Sequence, residues 1–324
     1  MTKAIRFHQT GGPEVLRLEE IDVGEPGQGQ ARVRHTAIGV NFIDTYHRTG
    51  LYPLPLPSGL GLEGAGVVEA VGQGVAHVKK GDRVAYAGGA PGSYSQVRLM
   101  AADRLVRLPA GVSDQQAAGA MLKGLTVQYL TRRTYRVKAG ETVLVHAAAG
   151  GVGLIACQWL KALGATVIGT VGSDEKARLA RAHGCDHAIV YTREDFPARV
   201  KEITKGAGVP VVYDSVGKST FQGSLDCLRP RGLMVSFGNA SGPVPPVDLI
   251  QLSQKGSLFL TRPTLVHYTA NRQELEGAAR ELFKMMQSGK VKIEVSATCP
   301  LAEAAQAHRD LEARKTTGSV VLLP

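Results

Sequence analysis

Along residues 141–262, short apolar runs alternate with stretches whose apolar positions recur at helical spacing. The strand candidates are Thr142–Val145, Thr166–Val171, Ala188–Tyr191, Val211–Ser215, Leu233–Phe237 and Leu258–Thr261. Six such runs joined by helical crossovers predict a parallel, doubly wound sheet, because a strand covered on both faces reads as continuous apolar sequence. The first half reads differently. Glycine and proline are frequent there, and Gly64–Val71 and Arg83–Ala87 predict strands of a partly antiparallel β barrel. Beyond Arg262 the pattern predicts a helix over Gln273–Ser288, a short strand near Lys292–Val295, a helix over Leu301–Ala313 and a closing strand, Ser319–Leu323. A closing strand needs a sheet to join, and the β-rich first half is its expected host.

The most specific local signal is His146-Ala147-Ala148-Ala149-Gly150-Gly151-Val152-Gly153, which follows the first strand candidate and opens a helical stretch over Leu154–Leu163. Small residues at 148, 150 and 153 keep the G-x-G-x-x-G spacing with alanine in the first place. This is the setting of a dinucleotide-binding loop, in which the backbone turns tightly and a pyrophosphate sits on the helix N-terminus. Ala149, Gly150, Gly151 and Val152 are the expected contacts. The chain then divides into a β-rich domain, 1–124 with 263–324, and a Rossmann dinucleotide-binding domain, 125–262, with the cleft between them as the expected active site.

With 324 residues, two domains are in range. No run approaches bilayer length and Met1–Thr10 is mixed and polar, so a soluble cytoplasmic protein is expected. Cys157, Cys185, Cys227 and Cys299 form no C-x-x-C pair, which suggests neither a zinc knuckle nor a disulfide framework. The formal charge of +10 suits anionic partners. No dense Lys/Arg run favours nucleic acid over a charged cofactor.

Ala37–Asp44, Gly61–Val68, Gly81–Val84, Lys123–Thr126 and the His146–Gly153 loop together resemble the medium-chain dehydrogenase/reductase superfamily over essentially the whole chain. Within it, the chain is most similar to the zeta-crystallin-like NADPH-dependent quinone oxidoreductases. The resemblance implies that the β-rich part is a GroES-like catalytic domain. Zinc alcohol dehydrogenases of the superfamily carry a Cys near Asn41 and a Gly-His-Glu where this chain reads Gly61-Leu62-Glu63. They also carry a four-cysteine lobe, whereas no Cys precedes Cys157 here. No metal site is therefore expected. Without a Lewis acid, an acceptor that is already an electron sink, a quinone or a conjugated enone, is the expected substrate.

At the end of the second strand candidate, where NAD-preferring domains place a carboxylate, the chain reads Thr170-Val171-Gly172-Ser173. The absence of that carboxylate favours NADPH, with Gly172, Ser173, Lys176 and Tyr191 near the 2′-phosphate; by resemblance, Lys176 and Tyr191 face it. The bland alternative is that Ser173 only caps the next helix and Lys176 is solvated. At the ends of later strands, Ser215, Phe237, Gly238, Asn239 and Arg262 are expected on the nicotinamide half. Arg262 could instead close a hinge. Lys123 and Thr126 are expected to serve the cofactor, although for Lys123 an interdomain salt bridge is an equal reading.

By resemblance, Asn41, Asp44 and Thr45 lie beside the nicotinamide ribose, while Tyr46 and Tyr52 wall the quinone site. Asn41, Tyr46, Tyr52 and Arg262 are the candidate catalytic residues. Asp44 reads equally as a turn or helix-cap residue, and each tyrosine as a barrel-edge residue in water. His146 is expected to be packed rather than catalytic. No side chain is an obvious general acid, so solvent is the expected source of the second proton. The family implies a homodimer that continues the sheet at the sixth strand. An alkenal or enone reductase is the alternative activity. Binding of AU-rich RNA, known in some relatives, is disfavoured by the low aromatic content, 5%.

Overall fold

The computed structural model describes residues 1–324. In chain order, the first unit opens with β1 (Thr2–Phe7), β2 (Arg17–Ile21), β3 (Gln30–Val40), α1 (Phe42–Thr49), β4 (Ser58–Gly59), β5 (Glu63–Val71), β6 (Arg83–Ala87), β7 (Val97–Ala101) and β8 (Val106–Arg107). Then come α2 (Asp114–Tyr129) and a π-helical turn, Leu130–Thr134. The crossovers follow: β9 (Thr142–Val145), α3 (Gly151–Ala162), β10 (Thr166–Val171), α4 (Asp174–Ala182), β11 (His187–Val190), α5 (Phe196–Ile203), β12 (Val209–Asp214), α6 (Phe221–Asp226), β13 (Leu228–Ser236), α7 (Ile250–Gln254) and β14 (Phe259–Thr261). The chain ends through α8 (Leu265–Tyr268), α9 (Arg272–Gln287), β15 (Val295–Pro300), α10 (Ala304–Glu312) and β16 (Ser319–Leu323). Two compact units result: Met1–Leu125 with Tyr268–Gln287 and Ile293–Pro324, and Thr126–His267 with Ser288–Lys292.

In the second unit six strands pair in the order β11-β10-β9-β12-β13-β14, all parallel. The order runs outward in both directions from β9, so the loops at the strand C-termini diverge there, where open parallel sheets bind ligands. β12 is buried along its whole length. It begins two residues before the run expected from the sequence and includes Pro210, tolerated because the register with β13 shifts between Val209 and Val211. Leu144, Ile168, Val212, Phe221, Leu225 and Met234 anchor the core beneath the sheet.

In the first unit a seven-stranded sheet runs β15-β16-β3-β5-β6-β8, with β7 also paired to β3, beside a three-stranded sheet β2-β1-β4. Its pairings are antiparallel except β15 with β16. The closing strand joins the first-half sheet as expected, with Val40 opposite Val320 and Ile38 opposite Leu322. The strand expected near Lys292–Val295 is displaced, sharing only Val295 with β15. Its place is set by β16, which pairs from Val295↔Ser319 to Pro300↔Leu323 while Ser319 N donates to Glu294 O. The helix expected over Leu301–Ala313 begins as a 3-10 turn, Leu301–Glu303, before α10.

Candidate functional site

The loop between β9 and α3 is shaped by close packing. Ala148 N donates to Thr170 O and Gly150 N to Ala147 O, bending the chain into α3 with Gly150 as the cap. A Cβ on Gly153 would stand 2.2 Å from Ala147 O and 2.7 Å from the Ala148 backbone, so only glycine lets the helix start this close to the turn. Alanine in the first place of the motif is accommodated by β10. Gly169 faces it there, and a Cβ on Gly169 would lie 2.6 Å from that of Ala148. The first-turn amides of Gly151, Val152 and Gly153 have no intrahelical acceptor and form a cradle suited to a pyrophosphate.

At the end of β10, Ser173 Oγ accepts from Lys176 N at 3.3 Å and caps α4. The Tyr191 hydroxyl packs over Gly172, where a Cβ would come within 3.0 Å of it. Gly172, Ser173, Lys176 and Tyr191 thus converge. The carboxylate of Asp174, next in the chain, is exposed and tied to Arg193 at 2.5 Å, which holds its pKa below the usual range.

At the ends of β12 and β13 a Cβ on Gly238 would lie 2.4 Å from Ser215 O, so Ser215, Phe237, Gly238 and Asn239 meet by backbone contact. With its NH2 toward Gly238 O, the Asn239 amide accepts from Arg262 at 3.2 Å. Beneath them His146 is buried. Its Nδ1 lies 2.8 Å from Thr170 Oγ1 and its Nε2 2.9 Å from Ser224 Oγ, which donates to Asp214 at 2.9 Å. Asp214 also accepts from the amides of Val216 and Gly217. This string ties three strand ends together, a packing role for His146; Asp214 is a residue the sequence reading missed.

In the first unit Asn41 precedes α1 and forms a capping box with Asp44, whose Oδ2 accepts from Asn41 N at 2.8 Å. Asp44 is fully buried and its Oδ1 has no partner. Burial pushes its pKa up to about 7, against the opposing hydrogen bonds from Asn41 N and Tyr94. The Asn41 amide donates to Glu63 at 2.8 Å and Lys123 Nζ to the same oxygen at 3.2 Å. The salt bridge weighed for Lys123 is therefore present but lies within one unit, with Glu63 rather than across domains.

Thr45 bonds back to Phe42 O. Phe42, Tyr46 and Tyr52 form a run of tilted and edge-on rings, with centroids 5.8 and 5.2 Å apart. Thr126, 7% exposed, belongs to the second unit.

A directional hydrogen-bond chain ends on Asp44. Arg48 has only donors, so it donates to His308 Nδ1 at 3.0 Å and leaves Nε2 to carry the proton. His308 Nε2 then donates to the Tyr94 hydroxyl at 3.1 Å, and Tyr94 to Asp44 at 2.9 Å. Arg48 is itself buried and paired bidentately with Glu312. Since a guanidinium does not release its proton, the chain fixes α1 to α10 and is no proton conduit from Glu312. Burial, with Arg48 beside it, lowers the His308 pKa to about 3.

No group of three or more His, Cys, Asp or Glu side chains is arranged to hold a metal ion. Residues 27–110 match the family model described as alcohol dehydrogenase GroES-like domain, and residues 151–285 that described as zinc-binding dehydrogenase. Where the resemblance to the zinc alcohol dehydrogenases would put a Cys and a His, this chain has Asn41 and Leu62, neither of which is a zinc ligand. The chain is 59% identical to a quinone oxidoreductase of Pseudomonas aeruginosa and 50% identical to a 2-haloacrylate reductase of a Burkholderia species, with all of this chain and 100% and 99% of those proteins covered. It superposes on the crystal structure of Escherichia coli quinone oxidoreductase complexed with NADPH at a TM-score of 0.98 and 55% identity, covering 99% of this chain and 100% of that one. Identity at this level over the full length leaves one assignment: the chain is an oxidoreductase and belongs to the zinc-free quinone oxidoreductases of the medium-chain dehydrogenase/reductase superfamily.

Proposed function

We propose that the protein reduces quinones with NADPH by hydride transfer, without a metal. The observation that carries the cofactor choice is the end of β10, where Gly172, Ser173, Lys176 and Tyr191 gather, the strand end itself carries no carboxylate, and the Asp174 carboxylate that follows is paired with Arg193. The residues present fit the cofactor, since the first-turn amides of Gly151, Val152 and Gly153 have no intrahelical acceptor and are donors suited to a pyrophosphate. NADPH supplies the hydride when bound. The α3 amides hold the pyrophosphate, Ser215, Phe237, Gly238, Asn239 and Arg262 the nicotinamide half, and Asn41, Asp44 and Thr45 its ribose side. The rings of Tyr46 and Tyr52 give a flat acceptor an aromatic face, and their hydroxyls donate to the oxygen that gains charge. Water delivers the second proton.

A second reading, reduction of a conjugated carbon–carbon double bond, is favoured by the 2-haloacrylate reductase among the relatives. Oxidation of NADPH and NADH by the chelator-treated protein, against a benzoquinone, a naphthoquinone, a 2-alkenal and a simple ketone, decides between them. Fast quinone turnover with NADPH alone supports the first reading, and turnover confined to the alkenal moves the function to enone reduction.

A homodimer through β14 belongs to the same proposal. This edge strand exposes Phe259 (60%) and Leu260 (37%), an apolar edge that soluble proteins cover, and Leu249 (72%) and Ile250 (56%) of the same unit are exposed as well. No helix is long and apolar enough to cross a membrane. The free cysteines suit the reducing cytoplasm, where we place the protein.

A further inference from the structure

Glu63 is fully buried and its carboxylate accepts three hydrogen bonds. Oε1 accepts from Leu122 N at 2.6 Å, and Oε2 from Asn41 Nδ2 and Lys123 Nζ. The backbone makes room for it, because a Cβ on Gly39 would lie 2.2 Å from Oε2. Lys123 is the reverse case. Its side chain is 6% exposed, its ammonium has three donors, and Glu63 Oε2 at 3.2 Å is its one acceptor in the protein. Buried donors left without acceptors are costly, so two hydrogens of Lys123 are placed for a group the protein does not supply.

The charges nearby decide what that group is. Glu63 cancels the ammonium, and the buried Asp44 feels both of them. The cluster of one ammonium and two carboxyl groups is neutral or negative, never net positive. A phosphate would lose its hydration here for no net attraction, whereas an uncharged oxygen with free lone pairs loses little. We propose that Lys123, its charge cancelled by Glu63, donates hydrogen bonds to an uncharged oxygen of the bound reactants, and that Glu63 is the residue that positions it. The inference rests on the oxidoreductase reading. The oxygen belongs either to the nicotinamide nucleoside half of the cofactor or to the carbonyl of the acceptor.

The test uses Lys123→Met and the double variant Glu63→Gln/Lys123→Met, in which no lone carboxylate is left to unfold the protein. Dissociation constants for NADPH and NADH are read from cofactor fluorescence, and kcat/KM from quinone turnover. If the oxygen is the cofactor's, both dissociation constants rise alike, by about tenfold or more. If it is the acceptor's, they stay put and quinone kcat/KM falls by a similar factor. A rise confined to NADPH would show a phosphate contact and overturn the proposal, as would no change in either quantity.

Glu63→Gln alone tests the positioning role. It is expected to move the same constants in the same direction as Lys123→Met, and the double variant to lose no more than Lys123→Met alone. Unchanged constants, or losses that simply add, overturn that role. Wild-type protein that turns over no quinone with either cofactor would sink the quinone-reductase reading instead, while the binding constants still decide the place of Lys123.

Discussion

Lys176 occupies the first turn of α4, where a cation is disfavoured by the helix dipole unless an anion is near. Lys176→Ala is therefore expected to raise the KM for NADPH by about tenfold and leave that for NADH nearly unchanged; steady-state kinetics with both cofactors check this, and an equal effect on both would remove the 2′-phosphate contact. The buried titratable groups make stability depend on pH. Burial lowers His35 to about 4 and His308 to about 3 from the ordinary 6.5, so the stability tied to their neutral forms is complete above 6.5 and lost as pH falls through these values. Asp44, raised from 3.8 to about 7, acts oppositely, its contribution being complete below 3.8 and lost as pH rises through 7. Between about pH 4 and 6.5 two histidines oppose one carboxyl, each worth about 1.4 kcal/mol per pH unit. The expected outcome is a Tm that drops on acidification across that window, and drops more steeply in Asp44→Asn. The placement of Gly172, Ser173 and Lys176 was legible because a strand end and a helix cap are local patterns. Glu63 stood in a quoted motif without a role, and Tyr94 and His308 went unseen. Their partners lie far along the chain, 214 residues apart for Tyr94 and His308, and no local pattern encodes such a pairing.

The glycines of the dinucleotide loop are not equivalent. Gly150→Ala would place a Cβ 3.3 Å from Ala147 O, a contact that small shifts relieve, whereas Gly153→Ala meets rigid backbone at 2.2 Å. Gly153→Ala is accordingly expected to cost about 1–3 kcal/mol in urea unfolding and to weaken cofactor binding, with Gly150→Ala affecting both far less. Equal losses in the two variants would show that the spacing, rather than the fit of α3 onto the turn, sets the requirement. Strand periodicity was readable where burial enforces it: β9, β10 and β16 occupy the residues their apolar runs indicate. It failed at β15, whose burial pattern is mostly intermediate and exposed and whose position is dictated by its partner strand. The pairing of buried Arg48 with the exposed Glu312 was equally unreadable, since it joins α1 to α10 across 264 residues.

At the scale of the whole molecule, the open flank of β14 carries the prediction on assembly. Phe259→Lys is expected to convert a dimer into monomers at micromolar concentration by light scattering. A wild-type protein that is already monomeric there would remove the proposal. The six-stranded sheet was legible because each crossover is contiguous in sequence, and the return of the last strand to the first sheet was legible because an apolar run cannot end in solvent. Membership in the seven-stranded sheet has a further consequence. β16 completes the edge of β3 at Ile38–Val40, yet it is synthesised about 280 residues later, after every strand of the other unit. A nascent chain therefore holds a bare strand edge through most of translation, while the crossover unit can close as soon as it emerges. Deleting Ser319–Leu323 should leave a product whose residues 126–267 resist limited proteolysis and whose first 125 do not, so the order in which the ribosome delivers the strands, as much as their packing, decides which half of the protein is exposed to misassembly.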